Sequence, residues 1–190
     1  GIAEEHAVTY AAGLSAAGIL PVIAIYSTFM QRSYDQIIHD IALQNLPAIF
    51  CMDRGGLVGN DGPTHHGVFD ISMMINLPGI VIAAPKDGNE LDNLLLTALE
   101  ANVPFCIRYP KSHSVTYHQT NLEKILDIGS WEYLNKGKKI AVLATGSMVE
   151  VASQSLDLIN EKFNFKPTLV NCRFIKPFDF KILDQVINDH

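Results

Sequence analysis

Basic residues are the first shortage in this chain. Its 190 residues carry 14 Lys and Arg against 20 Asp and Glu, a formal net charge of -6 at pH 7. No cluster of cations offsets that balance, which excludes a nucleic-acid surface. Long apolar runs are missing as well: none approaches the ~18 residues of a membrane span, and no secretory signal heads the sequence, so no membrane association is expected. Cysteine is reduced to Cys51, Cys106 and Cys172. They are odd in number, widely spaced and set in apolar runs, which argues against a disulfide framework and for reduced core residues of a cytoplasmic protein. Internal repeats and low-complexity tracts are absent. So is an initiator Met: the chain opens on Gly1 just before a helical pattern and stops at His190 inside another, so a fragment of something longer is expected.

What is present alternates between strand and helix. Residues 4–18 read as a helix with Ala7, Tyr10, Ala11, Leu14 and Ala17 inward. Glu4 and Glu5 lie in its first turn, where the helix dipole favours acids. The run 20–26 is a short buried strand, 29–44 a helix with Tyr34, Ile37, Ile38 and Ile41 inside and Thr28 as its cap, and 47–52 a second strand. The stretch 53–67 is polar, Gly-rich and long for a connection, as functional loops tend to be. A short helix near 69–75, a strand 80–84, a helix from Asp87 or Asn89 to Glu100 and a strand 104–109 come next. Residues 110–126 read as a connector. Beyond it lie strands near 128–133 and 139–145, a turn at Gly146-Ser147, a helix 148–160, a strand 168–171 and a helix from about Asp179. The fold class is α/β, a parallel-sheet domain followed by an incomplete second α/β domain.

In an open parallel sheet the ligand lies beyond the carboxyl ends of the strands. Tyr26 and Phe29, with Arg32 one turn on, follow the first strand. Arg54, Asp61 and His65 follow the second, and Arg108 closes the fourth. Glu4 joins them, because adjacent helical residues point about 100° apart and only one of the two glutamates can face a buried site. Each has a plainer reading: turn chemistry for Asp61-Gly62-Pro63, surface charge for the arginines, core packing for Tyr26 and Phe29, capping or solvation for His6, His39, His113 and His118. Their coincidence at successive strand ends favours a site. His65 and His66 lack a carboxylate or thiol at ligand spacing, so no metal ligands are assigned.

Four strings are more specific: G-I-A-E-x-H-A-V-T from Gly1, A-I-Y-S-T-F-x-Q-R-x-Y-D-Q-x-I-H-D from Ala24, D-R-x-G-L-V-G-x-D-G-P-T-H-x-G from Asp53, and I-R-Y-P-K from Ile107. They resemble the 1-deoxy-D-xylulose-5-phosphate synthase family, transketolase-like enzymes that use thiamine diphosphate. Members condense pyruvate with D-glyceraldehyde 3-phosphate and release carbon dioxide, at the entry to isoprenoid precursors by the methylerythritol phosphate route, which also feeds thiamine and pyridoxal synthesis. The resemblance is dense to about residue 112 and looser beyond.

The resemblance implies a thiamine diphosphate pyrimidine-binding domain over 1–115, a connector over 116–126 and a truncated transketolase C-terminal-like domain over 127–190. It implies Glu4 on the pyrimidine nitrogen, Phe29 stacked on the pyrimidine with Tyr26 beside it, and catalytic roles for Glu4, His65 and Arg32. Substrate contacts fall to Tyr26, Arg54, Asp61, His65 and Arg108. Arg54 and Arg108 would grip the phosphate and Arg32 the pyruvate carboxylate. Glu5 stands where the family more often has Gln, and Lys111-Ser112 where it has Arg-Gly; neither change is expected to touch these contacts. The family's diphosphate and Mg2+ anchor, a G-D-G element, does not occur in these residues and belongs to an N-terminal domain, so the fragment alone is expected to be inactive and to pair as a homodimer. Two alternatives remain: a purely structural dimerisation module, and the β subunit of a related 2-oxo acid or acetoin dehydrogenase.

Overall fold

The computed structural model describes residues 2–113 and 124–190. Most of the expected connector, 116–123, and His118 lie outside the described residues. Helix α1 (Glu4–Ala16) packs Val8, Ala11, Ala12 and Ser15 inward. The expected inner face is therefore corrected, for Tyr10 is 62% exposed. Apolar and small residues are spread around α1, which leaves almost no amphipathic signal, and its facing is decided by close approach: the Ser15 hydroxyl donates to the Pro47 carbonyl at 2.7 Å.

Strand β1 (Val22–Tyr26) leads into a region that is not one regular helix. A 3-10 turn at Phe29–Ser33, a single α-turn α2 (Tyr34–Gln36) and a π-helical turn at Ile37–Ala42 succeed one another. Ile37 and Ile41 are fully buried, with Tyr34 and Ile38 packed against the same core. Thr28 does not cap this region; its hydroxyl donates across to the Thr64 carbonyl at 3.4 Å. Next come β2 (Ile49–Asp53), α3 (Asp70–Met74), β3 (Val81–Ala83), α4 (Gly88–Glu100) and β4 (Phe105–Arg108). The Asp87 carboxylate accepts from the Glu90 amide and so caps α4. The later elements are β5 (Glu132–Asn135), β6 (Ala141–Ala144), α5 (Met148–Phe163), β7 (Thr168–Asn171), β8 (Phe174–Lys176) and α6 (Phe180–Asp189).

Two sheets result. In the larger, ordered β1-β2-β4-β3-β8, the first four strands are parallel. Such strands carry continuous apolar runs because both faces are covered; β3 is buried at every residue and β4 at all but Arg108. The fifth strand is a finding the sequence pattern does not announce. β8, from the second half of the chain, runs antiparallel beside β3, pairing Ile82 with Lys176 and Ala83 with Phe174. The smaller sheet, β5-β7-β6, is mixed, with β6 parallel and β5 antiparallel to β7. β5 starts at Glu132, later than periodicity suggests, because Trp131 turns inward and donates its indole N–H to the Phe174 carbonyl at 2.8 Å.

The halves also meet through charge. Glu90, 3% exposed, accepts from the Lys86 amide at 2.7 Å, from Asn171 Nδ2 at 2.8 Å and from Arg173 Nη1 at 3.4 Å. The cysteines are free, Cys106 buried and the other two half-buried; burial raises all three thiols and holds Cys172 at about 12. Among the described residues no helix is long and apolar enough to cross a membrane. Phe174, fully buried in the same cluster as Phe105 and Leu94, tests the shared sheet. Phe174→Ala should lower the unfolding free energy by about 3–5 kcal/mol, read by urea denaturation with Trp131 fluorescence. An unchanged midpoint would mean that β8 is not part of the first core.

Candidate active site

Strand register builds the site. Tyr26 lies opposite Asp53 at the ends of β1 and β2, and Met52 opposite Arg108 on β4. The segments leaving these strand ends therefore converge on one edge. The loop 54–67 folds back there through reciprocal backbone bonds between Gly56 and Gly67, both at 2.8 Å. Only glycine fits at 67: a Cβ would stand 2.2 Å from Ser27 Oγ and 2.5 Å from the Arg54 carbonyl oxygen.

Beneath this edge lies Asp70, 3% exposed. Its Oδ2 accepts from Ser27 Oγ at 2.8 Å and from Arg108 Nε at 2.6 Å, and its Oδ1 accepts from the Ile71 amide at 2.8 Å. Arg108 also donates from Nη2 to the Gly67 carbonyl at 3.5 Å. Part of its guanidinium is thus committed to the scaffold, and Nη1 has no partner among the described residues.

The other seven residues singled out from the sequence form one unbroken chain of contacts. Arg32 Nη1 lies 3.3 Å from Glu4 Oε1, and its guanidinium sits 4.9 Å from the centre of the Phe29 ring. Phe29 stacks on Tyr26 with centroids 5.5 Å apart, and His65 meets Phe29 edge-on at 5.2 Å. The Arg54 guanidinium sits over the Tyr26 ring, 3.7 Å from its centroid. It donates to Asp61 at 2.9 Å and to Asp53 at 2.6 Å. Arg54 holds this position with φ +59°, a left-handed conformation that a non-glycine residue rarely adopts.

Lys111 requires a correction. Its Nζ donates to the free oxygen of Asp61 at 2.6 Å, so this departure from the family pattern does touch a candidate residue. Asp61 is held between two cations. The Lys111 and then the Arg54 hydrogen bond keep its carboxyl below the ordinary range, and Asp61 in turn raises Arg54.

Glu4 presents the most telling atom. Its side chain is 14% exposed, and Oε2 is buried with no hydrogen-bond partner among the described residues. A buried unsatisfied oxygen costs on the order of 1–3 kcal/mol, and more on a charged group, so such an atom calls for an explanation such as strain, a catalytic role or a missing water, ion or ligand. A cavity of about 330 Å³ lies elsewhere, at the junction of the halves near Lys86, Tyr109 and Ser147. It contains none of these groups, and the orphaned Glu4 oxygen weighs more than its volume.

The family model described as transketolase, pyrimidine binding domain matches residues 1–115, and that described as transketolase, C-terminal domain matches residues 129–190. The chain belongs to the transketolase family. It is similar over all 190 residues, at 50% identity, to a 1-deoxy-D-xylulose-5-phosphate synthase of Dictyoglomus thermophilum, covering 31% of that protein. It is 48% identical over 189 residues to the synthase of Pseudoalteromonas translucida, covering 30% of it. The chain thus spans under a third of the length of these relatives. Among solved structures, a split-gene transketolase described as an inactive β4 tetramer superposes with TM-score 0.87 at 22% identity, over 98% of this chain and 60% of that one, which supports the α/β architecture of the family.

Sequence reasoning missed Ser27, Gly67, Asp70 and Lys111. Asp70 in a first helical turn reads as an ordinary capping acid, and nothing in its spacing reveals burial. The Asp61 pair yields a pH test. Its folded pKa is depressed, so its contribution is complete above the unfolded value near 3.9 and is lost as pH falls through the lower folded value. The stability difference between wild type and Asp61→Asn should be constant above about pH 5 and shrink below pH 4, by thermal melts across pH. A difference that stays flat would show that the triad contributes nothing net.

Proposed function

We propose that these residues form the pyrimidine-binding half of a thiamine diphosphate-dependent carboligase of the 1-deoxy-D-xylulose-5-phosphate synthase type, joining pyruvate to D-glyceraldehyde 3-phosphate with loss of carbon dioxide. The observation that carries the reading is the buried, unpartnered Oε2 of Glu4 beside the stacked Tyr26 and Phe29 rings. A protonated pyrimidine nitrogen is the donor such an oxygen lacks, and an aromatic platform suits a flat heterocycle. Bound there, the cofactor supplies a thiazolium carbon able to add to the keto carbon of a 2-oxo acid.

The chain's own groups have definable tasks. Glu4 holds the proton at the heterocycle through Oε2 while Arg32 neutralises Oε1. Arg32, 41% exposed, keeps donors free for the pyruvate carboxylate. Arg54, Lys111 and the uncommitted part of Arg108 supply cationic donors for a phosphate dianion. His65 bonds Thr64 Oγ1 through Nδ1 at 3.1 Å, which leaves Nε2 to exchange a proton with a substrate oxygen. The diphosphate and its Mg2+ fall to a domain outside these residues, and pairing of two chains would accompany assembly.

In the complete polypeptide, Glu4→Gln should lower turnover by two or more powers of ten while circular dichroism and melting temperature stay near wild type. Near-normal turnover would remove Glu4 from the mechanism. Arg108→Ala would strand Asp70, so the informative variant is Arg108→Lys, which keeps a cation there without the fork. It should raise the Michaelis constant for the phosphorylated substrate several-fold more than that for pyruvate. Equal changes in both would assign Arg108 to the scaffold.

A further inference from the structure

Lys176 belongs to β8, in the half of the chain remote from the candidate site, yet its ammonium lies under the site's floor. Nζ donates to the carbonyl of Ile75 at 2.9 Å and to that of Leu77. These carbonyls end the turn that α3 begins, where helical C=O groups lack intrahelical partners and a cation is favoured by the dipole. The opposite end of the same short helix is Asp70. From there the contacts run straight into the site: Asp70 to Ser27 at the end of β1 and to Arg108 at the end of β4, Arg108 onward to the Gly67 carbonyl. From the body of the helix, the Met73 carbonyl accepts from the Tyr34 hydroxyl at 3.0 Å, two residues after Arg32. With five residues, α3 has too few internal bonds to hold its own orientation. Its apolar side, Ile71 and Met74, is fixed only by packing.

We infer that Lys176 is a positioning residue: by capping the carboxyl end of α3 from the second sheet-bearing half, it sets the placement of Asp70 and thereby of the Arg108 guanidinium and Ser27 at the candidate site. Lys176 is set in place by β8's pairing with Ile82 and is itself partly desolvated, which lowers the pKa of its ammonium. The ion pair between Asp70 and Arg108 is buried, with the carboxylate side chain 2% exposed, so a shift of α3 by a fraction of its bond lengths weakens a contact that has no solvent to replace it. The inference concerns the coupling itself and depends on the proposed function only for what the site binds.

Hydrogen–deuterium exchange on the 190-residue chain tests the coupling. In Lys176→Met the amides of 70–77, together with those of 27 and 67, should exchange at least tenfold faster than in wild type. Leu156→Ala, which opens a cavity in the separate core of the smaller sheet, serves as the control for general loss of stability and should leave those amides within about twofold. Lys176→Arg should recover most of the protection. In the complete polypeptide, Lys176→Met should raise the Michaelis constant for the phosphorylated substrate several-fold with that for pyruvate unchanged. Unaltered exchange at 67–77 in Lys176→Met, or equal acceleration in Leu156→Ala, overturns the coupling whatever the site binds. Faster exchange with both Michaelis constants unchanged supports the coupling and instead removes Arg108 from phosphate binding.

Discussion

A single buried carboxylate disciplines the site edge. Asp70 lies where β1, β4 and α3 meet, and every one of its bonds reaches a different element: Ser27, Arg108 and the backbone of its own helix. An unpaired carboxylate in such a place would cost several kcal/mol, and removing one partner of a buried pair typically costs about 3–5 kcal/mol. The three elements therefore have one low-energy arrangement. Gly67 enforces the same arrangement from above, since the loop can close over Ser27 only where no side chain intervenes.

Against that rigid floor, the charges nearer the surface are held differently. Arg54 and Lys111 share Asp61 at 2.9 and 2.6 Å, and the Lys111 side chain is 47% exposed. Pairs of this kind are screened by solvent and weak, so on the proposed function a phosphate dianion would compete for both cations with little to displace. Its place over the Tyr26 ring, 3.7 Å from the centroid, would hold Arg54 if its donors turned to such a ligand. Glu4 shows the opposite arrangement: one oxygen paired with Arg32, the other sealed from water with nothing to accept from. One half of the site is thus satisfied and exchangeable, and the other is incomplete and fixed. On the proposed function, that combination would suit a tightly held cofactor beside a substrate that must come and go.

Much of this was legible from residue order, because hydrophobic runs and strand ends carry it. Tyr26, Phe29, Arg32, Arg54, Asp61, His65 and Arg108 could be placed on one edge once the strands were read as parallel, with Glu4 at the helix start beside them, and the four family-like strings supplied the role each would play. Other features have no local signature. β8 is three residues long and its strand identity comes from β3, distant in sequence. The Phe29–Ala42 region has helical spacing that cannot separate 3-10, α and π turns. Tyr10 reads as internal because the alanines, glycine and few larger apolar residues of α1 are spread around it and give little contrast between faces. Asp70 and Glu90 are acids whose burial is created by partners far along the chain.

Those partners also decide how independent the second half can be. Phe174 is fully buried against Phe105, Trp131 bonds the backbone of the strand that carries it, and Glu90 is enclosed by Asn171 and Arg173. Separating the halves would expose an apolar strand and leave a buried carboxylate without its amide and guanidinium donors. Both losses fall on the first sheet as well as the second. A domain that merely followed in sequence would sit behind a polar, water-filled boundary and could move as a body. Here a strand of one half completes the sheet of the other, so the later residues belong to the scaffold of the site although none of the groups proposed to meet cofactor or substrate lies among them.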